Sequence, residues 1–282
     1  MTSYRTLICR HRRLALVGWL MHCTALIVIV TSLFASFQPT SLSAGDTLPA
    51  GMTPARHRAC NRTLAAAYHR LAPREEGPDA DRFRRRAWAL LAAAVSACNT
   101  LGVPHWLGSG TLLGYIRQCD LVPAMGDVDL EVAVEPFVNG NVTVTQLVEI
   151  LNSAGLLLAS KLGRLNDSLE MAFKDDVGTR IDVFFSYPDG ENRYTAGVDF
   201  DTLKKIRWVD PEITLCWGTL HGLVVGVPCD SHAYLETSYG PNWTQPLPSG
   251  RNWDYRVDAT NTVNAGQWSE NERNEVIQVF IK

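Results

Sequence analysis

The sequence predicts an α/β fold, an α+β domain with a small mixed sheet, behind an N-terminal transmembrane helix. An uncharged run of 24 residues, positions 14–37, predicts the membrane helix. After Asp79, apolar residues recur at steps of three and four, which is typical of an amphipathic helix entering a folded domain. Beyond that helix, β-rich and helical stretches mix without regular alternation, which favours a small mixed sheet over a doubly wound one.

Charge is distributed unevenly along the 282 residues. The first 37 residues contain four arginines and no acidic side chain, and the other 245 contain the remaining 22 basic residues against 29 acidic ones. This larger part therefore has a formal charge of −7, although the whole chain is only −3. Nucleic-acid binding needs clustered Lys and Arg for phosphate contacts, so the composition excludes that class of function.

Residues 14–37 are predicted to be a signal anchor. A helix of this length reaches about 36 Å at roughly 1.5 Å per residue, enough for a hydrocarbon core of roughly 30 Å. Because the arginines precede it, the positive-inside rule predicts a cytosolic tail at residues 1–13 and a lumenal remainder. A cleaved signal peptide is the alternative, but its apolar core would span only about 7–15 residues.

The lumenal part contains potential glycosylation sites and cysteines. Four Asn-x-Ser/Thr triplets begin at Asn61, Asn141, Asn166 and Asn242. An oxidising lumen would allow disulfides, and the cysteines beyond the anchor are Cys60, Cys98, Cys119, Cys216 and Cys229. Because five is odd, at least one of them should be free or paired between chains. The pairing stays open at this point.

Residues 38–78, rich in Pro, Ser, Thr, Gly and Ala, are predicted to be a lumenal stem with one helical stretch near Cys60 to Leu71, and residues 79–282 the folded domain. The expected elements of the domain are a helix from Asp79 to Leu101 ended by Gly102, a strand at His105–Leu107, a helix at Thr111–Gln118, a strand at Asp127–Val134, a helix at Thr145–Asn152, a hairpin of Ser168–Phe173 with Arg180–Tyr187, a strand at Leu220–Val227 and a helix at His232–Tyr239.

Asp127 and Asp129 are the first candidates for chemistry. Side chains alternate along a strand, so both carboxylates point to one face, and Val128 and Leu130 point to the other. Two carboxylates at this spacing can share Mg²⁺ or Mn²⁺, with water and phosphate oxygens completing the shell. In a turn, an Asp-x-Asp pair often only caps backbone amides, but this pair begins an apolar strand, where unpaired acids are costly to bury.

The glycine turn upstream strengthens this prediction. Gly108, Ser109 and Gly110 would let backbone amides approach a phosphate, and the helix that opens at Thr111 would direct its N-terminal dipole to the same place. Arg117, about two turns further along that helix, is a candidate phosphate ligand, with an exposed ion pair as the alternative.

Asp182 is the third candidate carboxylate. It is the one acid in the apolar run Ile181-Asp-Val-Phe-Phe185, which reads as a buried strand. A third acid beside the first pair suits a phosphoryl-transfer site, either as a metal ligand or as the acceptor of a hydroxyl proton. The alternative is a salt bridge with Arg180 or Lys161.

The order of several motifs resembles the fukutin/LicD family of the nucleotidyltransferase superfamily over roughly residues 85–282. The motifs that carry the resemblance are Ser-Gly-Thr-Leu-Leu-Gly-Tyr-Ile-Arg-Gln-Cys (109–119), Asp-Val-Asp-Leu (127–130), Asp-Ser-Leu-Glu (167–170), Ile-Asp-Val-Phe-Phe (181–185), Thr-Leu-Cys-Trp (214–217), Val-Pro-Cys (227–229), Tyr-Gly-Pro-Asn-Trp (239–243) and Trp-Asp-Tyr (253–255).

This resemblance implies a nucleotidyltransferase-like catalytic domain with a divalent metal at Asp127 and Asp129 and a third acid at Asp182. It also implies a single-pass type II protein of the Golgi membrane, with the endoplasmic reticulum as the alternative compartment. The implied reaction moves ribitol 5-phosphate from CDP-ribitol to a protein O-mannosyl glycan such as that of dystroglycan, with release of CMP. Other Golgi glycosylation enzymes are the implied partners.

Two departures from the family pattern bear on these expectations. The ribitol-phosphate transferase of the family has a long additional lumenal region between anchor and catalytic domain, where this chain has only residues 38–78. Glu131 also replaces a small residue, and it could add a metal ligand or alter the metal preference.

Two other functions fit parts of the sequence. One is a nucleotide-sugar glycosyltransferase that uses its Asp-x-Asp pair for Mn²⁺. The other is a non-catalytic glycan-binding or scaffold protein of a glycosylation complex. Within the family, phosphocholine and other polyol-phosphate donors also stay open.

Overall fold

The computed structural model of the chain describes residues 53–247 and 253–281. The predicted tail at residues 1–13 and the predicted membrane helix at residues 14–37 lie outside the described residues. Within the described ranges, no helix combines the length and the apolar character that crossing a membrane requires.

The described ranges contain helices and strands in mixed order, as predicted. The helices are α1 (Arg62–Leu71), α2 (Pro78–Leu101), α3 (Ser109–Gln118), α4 (Glu135–Val138), α5 (Val144–Ser153), α6 (Ser231–Tyr239), α7 (Tyr255–Asp258) and α8 (Arg273–Val276). The strands are β1 (His105–Leu107), β2 (Asp127–Ala133), β3 (Leu157–Arg164), β4 (Asp167–Lys174), β5 (Arg180–Asp189), β6 (Asn192–Val198), β7 (Lys204–Pro211), β8 (Leu215–Leu220), β9 (Leu223–Pro228), β10 (Thr262–Gln267) and β11 (Ile277–Val279).

The main sheet is mixed and curled. Its strands follow the order β10-β7-β6-β5-β4-β3-β11, and β2, which pairs with β1, joins the sheet beside β5. The pair β2–β5 is parallel, and the other pairs among the described strands are antiparallel. The expected α/β domain with a mixed sheet is therefore confirmed, but the expected small size was wrong, because the sheet has nine of the described strands. The curl gives the sheet an inner face that lines a cavity.

The parallel pair of β2 and β5 is fixed by a dry core on one face. Val128, Leu130, Ile181 and Val183 are each at most 1% exposed. Helix α2 packs against both strands, and its buried side chains belong to the same hydrophobic core. Since strand side chains alternate, burial of this face directs the intervening residues of β2 and β5 to the opposite one.

One predicted strand was wrong. The apolar run at Leu220–Val227 is not continuous, because β8 and β9 form an antiparallel hairpin that turns at His221 and Gly222. These two turn residues have φ values of 47° and 86°. The glycine permits this left-handed turn, which periodicity alone does not reveal because the residues around it are apolar.

The helical stretch expected near Cys60 to Leu71 is present as α1, and this part of the predicted stem packs on the domain. A disulfide joins Cys60 to Cys119, the residue after α3, and a second joins Cys216 to Cys229. The backbone N–H of Arg58 also donates to the carbonyl of Trp217 at 2.7 Å. Cys98 is free and buried, which agrees with the prediction that at least one of the five cysteines beyond the anchor is free or paired between chains.

Asp120 lies beside that disulfide and joins the segment after α1, helix α2 and the β8–β9 hairpin. Its buried carboxylate lies 2.7 Å from the guanidinium of Arg74, 3.0 Å from that of Arg84 and 2.8 Å from Nε2 of His221. Burial raises the pKa of Asp120, but the hydrogen bonds from His221 and Arg74 outweigh it and bring the pKa to about 2. The native state therefore favours the ionised carboxylate.

Replacing Asp120 with asparagine should lower the free energy of unfolding at pH 7 by about 3 kcal/mol, because Arg84 loses its buried partner. The pKa of Asp120 is lower in the folded than in the unfolded chain. Its contribution to stability should therefore be complete above about pH 4 and be lost as the pH falls towards 2.

Urea unfolding at a series of pH values measures both effects. Asp79→Asn is the matched control, because Asp79 is 95% exposed and pairs with Arg82 on the surface. The assigned role of Asp120 would be contradicted if Asp120→Asn and Asp79→Asn lowered the free energy of unfolding equally. It would also be contradicted if the difference in stability between Asp120→Asn and the parent did not become smaller in acid.

Candidate active site

The register of β2 and β5 places the predicted acids side by side. Asp127 lies opposite Arg180, and Asp129 lies opposite Asp182. All four side chains line one cavity of about 430 Å³ on the inner face of the curled sheet. The prediction that Asp127 and Asp129 share a face is confirmed.

A fourth acid, Glu170, lines the same cavity and was not predicted as a site residue. It lies on β4, where it faces Phe184 of β5 across the ladder. Glu170 is 8% exposed, although it stands in the apolar run Leu169-Glu-Met-Ala-Phe173. A single buried acid in an apolar strand was the signal that identified Asp182, and it could have identified Glu170 as well.

Arg180 forms ion pairs with two of these acids. Its Nε lies 2.6 Å from Oδ1 of Asp182, and its terminal nitrogen lies 3.6 Å from Oε1 of Glu170. The salt bridge considered as the alternative role for Asp182 is therefore present, and it does not remove Asp182 from the cavity. One guanidinium among four carboxyl groups leaves an excess of negative charge.

Burial acts on these acids more strongly than the arginine does. Burial raises the pKa of Asp182 to about 6 despite the opposing effect of Arg180, and it raises the pKa of Glu170 to about 8. Burial, then the charges of Asp127 and Asp182, raise the pKa of Asp129 well above its usual value. A cavity that destabilises its own carboxylates is suited to bind a cation.

The donor set fits a hard divalent cation. Carboxylate oxygens suit Mg²⁺ and Mn²⁺, and Mg²⁺ commonly takes only one or two protein carboxylates beside substrate phosphate oxygens. In the described part of the chain, no group of three or more His, Cys, Asp or Glu side chains is arranged to hold a metal ion by itself. The expected metal therefore stays a prediction, with Asp127, Asp129 and Asp182 as its candidate ligands.

The glycine turn holds the start of α3 against β2. The backbone N–H of Gly110 donates to Oδ2 of Asp129 at 3.2 Å, and the backbone N–H of Asp129 donates to Oγ1 of Thr111 at 2.7 Å. A Cβ atom at Gly110 would lie 1.9 Å from Met125, and one at Gly108 would lie 2.6 Å from Glu131. Glu131 is buried and hydrogen-bonded, so Gly108 is needed for this close approach, whereas the flexible end of Met125 could move to admit a larger residue at position 110.

Ser109 and Gly110 line the cavity, and both belong to the turn whose backbone amides were predicted to bind a phosphate. Ser109 has a φ of 41°, which places the first residue of α3 in the left-handed region. In the structure, the amide of Gly110 orients the carboxylate of Asp129, so the turn positions a candidate metal ligand.

Arg117 does not line the cavity in which Asp127, Asp129, Asp182 and Arg180 meet. Its guanidinium stacks 4.2 Å from the ring centre of Tyr68 and donates to the carbonyl of Trp243 at 3.3 Å. Arg117 lines a second cavity of about 850 Å³, which Asp127 and Met125 also line. Arg180 and Arg256 both line the cavity of Asp129 and Asp182, and Arg180 is the one that forms ion pairs with acids of the cluster.

Glu131 does not line the cavity, and its carboxylate forms hydrogen bonds within the domain. It is 2% exposed, one carboxyl oxygen accepts from Nε1 of Trp106 at 2.8 Å, and the other accepts from the hydroxyl of Tyr234. Burial and the charge of Asp210 raise its pKa, and with the opposing hydrogen bonds the pKa is about 8. Both oxygens are engaged, so Glu131 supports β1 and α6 in this structure.

Aromatic side chains form much of the remaining cavity wall. The sequence could not select among the tryptophans, and the structure places Trp208 and Trp253 in the cavity. The Trp208 ring lies 6.2 Å from that of Phe184 and 5.6 Å from that of Tyr255. Such flat apolar surfaces suit a nucleobase or a sugar ring.

The four predicted glycosylation sites have exposed asparagines. Asn61 also caps α1, since its side chain accepts from the N–H groups of Thr63 and Leu64 at 3.0 Å. In the third triplet, the hydroxyl-bearing residue Ser168 is fully buried. Use of Asn61, Asn141, Asn166 and Asn242 stays a prediction.

The sequence of the chain is similar to known proteins of one family. Residues 102–230 match the model of the LicD/FKTN/FKRP nucleotidyltransferase domain. The chain is 38% identical over 200 residues to the human protein named ribitol-5-phosphate transferase FKTN, an alignment that covers 70% of this chain and 41% of that protein. The protein of the same name from Macaca fascicularis is 37% identical, over 70% of this chain and 41% of that protein. The mouse protein of the same name is 36% identical, over 72% of this chain and 42% of that protein. The chain thus aligns with less than half the length of these relatives.

Replacing Asp129 with asparagine should raise the free energy of unfolding in EDTA by about 1–2 kcal/mol. The substitution removes a buried charge that is repelled by Asp127 and Asp182, and the amide oxygen can still accept from Gly110. Saturating Mg²⁺ should reduce this difference, because binding to the native state stabilises the parent protein more than the variant.

Urea unfolding with EDTA and with Mg²⁺ checks this prediction. Asp189→Asn serves as the control, since Asp189 is an exposed acid at the far end of β5. A variant less stable than its parent in EDTA would show that hydrogen bonds alone satisfy the carboxylate of Asp129.

Proposed function

The domain of this chain belongs to the LicD/FKTN/FKRP nucleotidyltransferase family, and we propose that it transfers ribitol 5-phosphate from CDP-ribitol to a glycan hydroxyl. The observation that carries the proposal is the cavity in which Asp127, Asp129 and Asp182 meet Arg180. The similarity to proteins named ribitol-5-phosphate transferase supports the choice of donor.

In the proposed reaction, the oxygen of an acceptor hydroxyl forms a bond to the phosphorus that bears the alditol. The bond from that phosphorus to the bridging oxygen breaks, and CMP leaves with the electron pair. Asp182 is the candidate to receive the hydroxyl proton, because it faces Asp129 across the ladder and Arg180 orients one of its oxygens.

Other residues of the cavity would bind and orient the donor. Arg180 supplies a guanidinium for the phosphates, and Gly110 keeps Asp129 aimed at the same place. When bound, a divalent cation would neutralise the charge that develops on the transferred phosphoryl group. Trp253 and Tyr239 line the cavity with ring centres 4.5 Å apart, and they give the apolar wall that a cytosine ring requires.

The location and the acceptor are part of the same proposal. The disulfides Cys60–Cys119 and Cys216–Cys229 support an oxidising compartment, and with the predicted anchor at residues 14–37 they favour a type II protein of the Golgi membrane. The acceptor would be a protein O-mannosyl glycan of a secretory glycoprotein, dystroglycan-like by the family resemblance, with other Golgi glycosylation enzymes as partners.

The test uses the full chain in detergent with Mg²⁺ or Mn²⁺ and a panel of CDP-ribitol, CDP-glycerol, CDP-choline and UDP-sugars. We expect metal-dependent release of CMP from CDP-ribitol, with water replacing the acceptor hydroxyl. Asp127→Asn and Asp129→Asn should each lower the rate at least ~100-fold, because each removes charge stabilisation from the transition state. The exposed Asp189→Asn should retain the parent rate.

The same panel separates the alternatives. Release of UDP would assign the chain to the metal-dependent glycosyltransferases, and preference for CDP-choline would make it a phosphocholine transferase. If no donor is turned over even with acceptor glycans present, the non-catalytic scaffold function replaces the proposal.

A further inference from the structure

A further acid, Asp210, lines the same cavity but belongs to a different wall. It lies on β7, which β6 separates from β5, so that two strand spacings of about 5 Å each divide it from the strand of Asp182. Asp210 is 4% exposed, and its neighbour in the wall is Trp208. No local pattern indicates it, because Val-Asp-Pro at positions 209–211 resembles the end of a strand followed by a turn.

Only one oxygen of the Asp210 carboxyl is engaged by the described residues. Oγ of Ser238 donates to Oδ1 at 3.0 Å, and Nδ2 of Asn261 donates to the same atom at 2.9 Å. Among the residues that the structure describes, none donates to Oδ2 and no basic side chain forms an ion pair with Asp210. These two hydrogen bonds fix the plane of the carboxyl group and leave Oδ2 for a ligand in the cavity.

The surroundings of Oδ2 suit hydroxyl groups. Thr195 lines the cavity on β6, directly opposite Trp208 in the ladder, and its buried side chain brings a hydroxyl that can donate and accept. The rings of Trp208 and Tyr255 provide an apolar surface beside these polar atoms. A carboxyl oxygen, a hydroxyl and an aromatic face are complementary to a polyol, which has O–H groups on one side and C–H groups on the other.

We propose that Asp210 and Thr195 form a subsite that recognises the hydroxyl groups of the alditol carried by the donor. The inference rests on the proposed function and deepens it, since it assigns the residues that distinguish an alditol from other groups attached to CDP. In this arrangement, a hydroxyl of the alditol donates to Oδ2 of Asp210, and the side chain of Thr195 bonds a second hydroxyl.

The subsite should discriminate against choline. A trimethylammonium group has no hydrogen to donate, so Oδ2 of Asp210 would be buried without a partner when CDP-choline is bound. Aromatic rings and a carboxylate could attract the positive charge, but Arg180 and Arg256 line the same cavity and oppose it. Burial also raises the pKa of Asp210 to about 7, which weakens its negative charge.

The test measures the dissociation constants of CDP-ribitol, CDP-choline and CDP by titration calorimetry on the full chain in detergent with Mg²⁺. Asp210→Asn changes the free oxygen into an amide and keeps an acceptor for Ser238 and Asn261. We expect it to weaken CDP-ribitol binding about tenfold and to change CDP-choline and CDP binding less than twofold. Thr195→Val, which keeps the shape of the side chain, should weaken CDP-ribitol binding selectively as well.

Asp189→Asn is the matched control and should change none of these constants, and thermal unfolding verifies that each variant is folded. If Asp210→Asn does not fold, the dissociation constants of Thr195→Val alone test the subsite. Equal weakening of CDP-ribitol and CDP-choline, or unchanged binding of CDP-ribitol, would overturn the subsite. A parent protein that binds none of the three compounds would instead reject the proposed function, and the two failures are therefore distinguishable.

Discussion

Four carboxyl groups share one guanidinium where β2 and β5 run side by side. The parallel register brings Asp127 and Asp129 to Arg180 and Asp182, and β4 adds Glu170. Mutual repulsion opposes this arrangement, so it has to be stabilised from elsewhere. The apolar face of the same two strands and α2 provide that stabilisation, because a shift of register by one residue would bury the acids in the core.

Helix α3 supports the cluster from one side because both of its ends are fixed. At the N-terminal end, the Gly110 amide and the Thr111 hydroxyl bond to Asp129. At the C-terminal end, Cys119 is bonded to Cys60, and Asp120 joins neighbouring segments through ion pairs. Stability and geometry of the site are thus coupled through one helix of ten residues.

The elements and acids that sequence predicted are those with a local signal. The alternation of side chains along β2 predicted that Asp127 and Asp129 share a face. The pattern of a single acid in an apolar run identified Asp182 as a site residue. The hairpin of β4 and β5 was confirmed for the same reason, since both strands have continuous apolar patterns around a short turn. Prediction failed at Leu220–Val227 because a left-handed turn lies inside an apolar stretch.

Other features depend on contacts between distant parts of the chain. The pairing of Cys60 with Cys119 joins residues 59 positions apart, and no spacing rule selects it over the alternatives. Arg117 lies on the helix where it was expected, but its guanidinium stacks on Tyr68 and does not line the cavity of Asp129 and Asp182. Asp210 lines the cavity from β7, and neither β7 nor its neighbour β6 was predicted, so local patterns could not bring Asp210 to the other acids.

The residues that form the cavity wall are spread along the chain, and this spread determines what a premature stop codon removes. These residues begin at Ser109 and end at Asn261, whereas the region that matches the family model ends at residue 230. A stop codon between positions 231 and 260 would leave all of that matched region and the four clustered acids in the translated product. The product would always lack Asn261, and a stop codon at or before position 238 would remove Ser238 as well, so that one or both hydrogen bonds that orient Asp210 would be lost. Under the proposed function, truncations in this interval should therefore impair recognition of the alditol even though the region that matches the family model is intact.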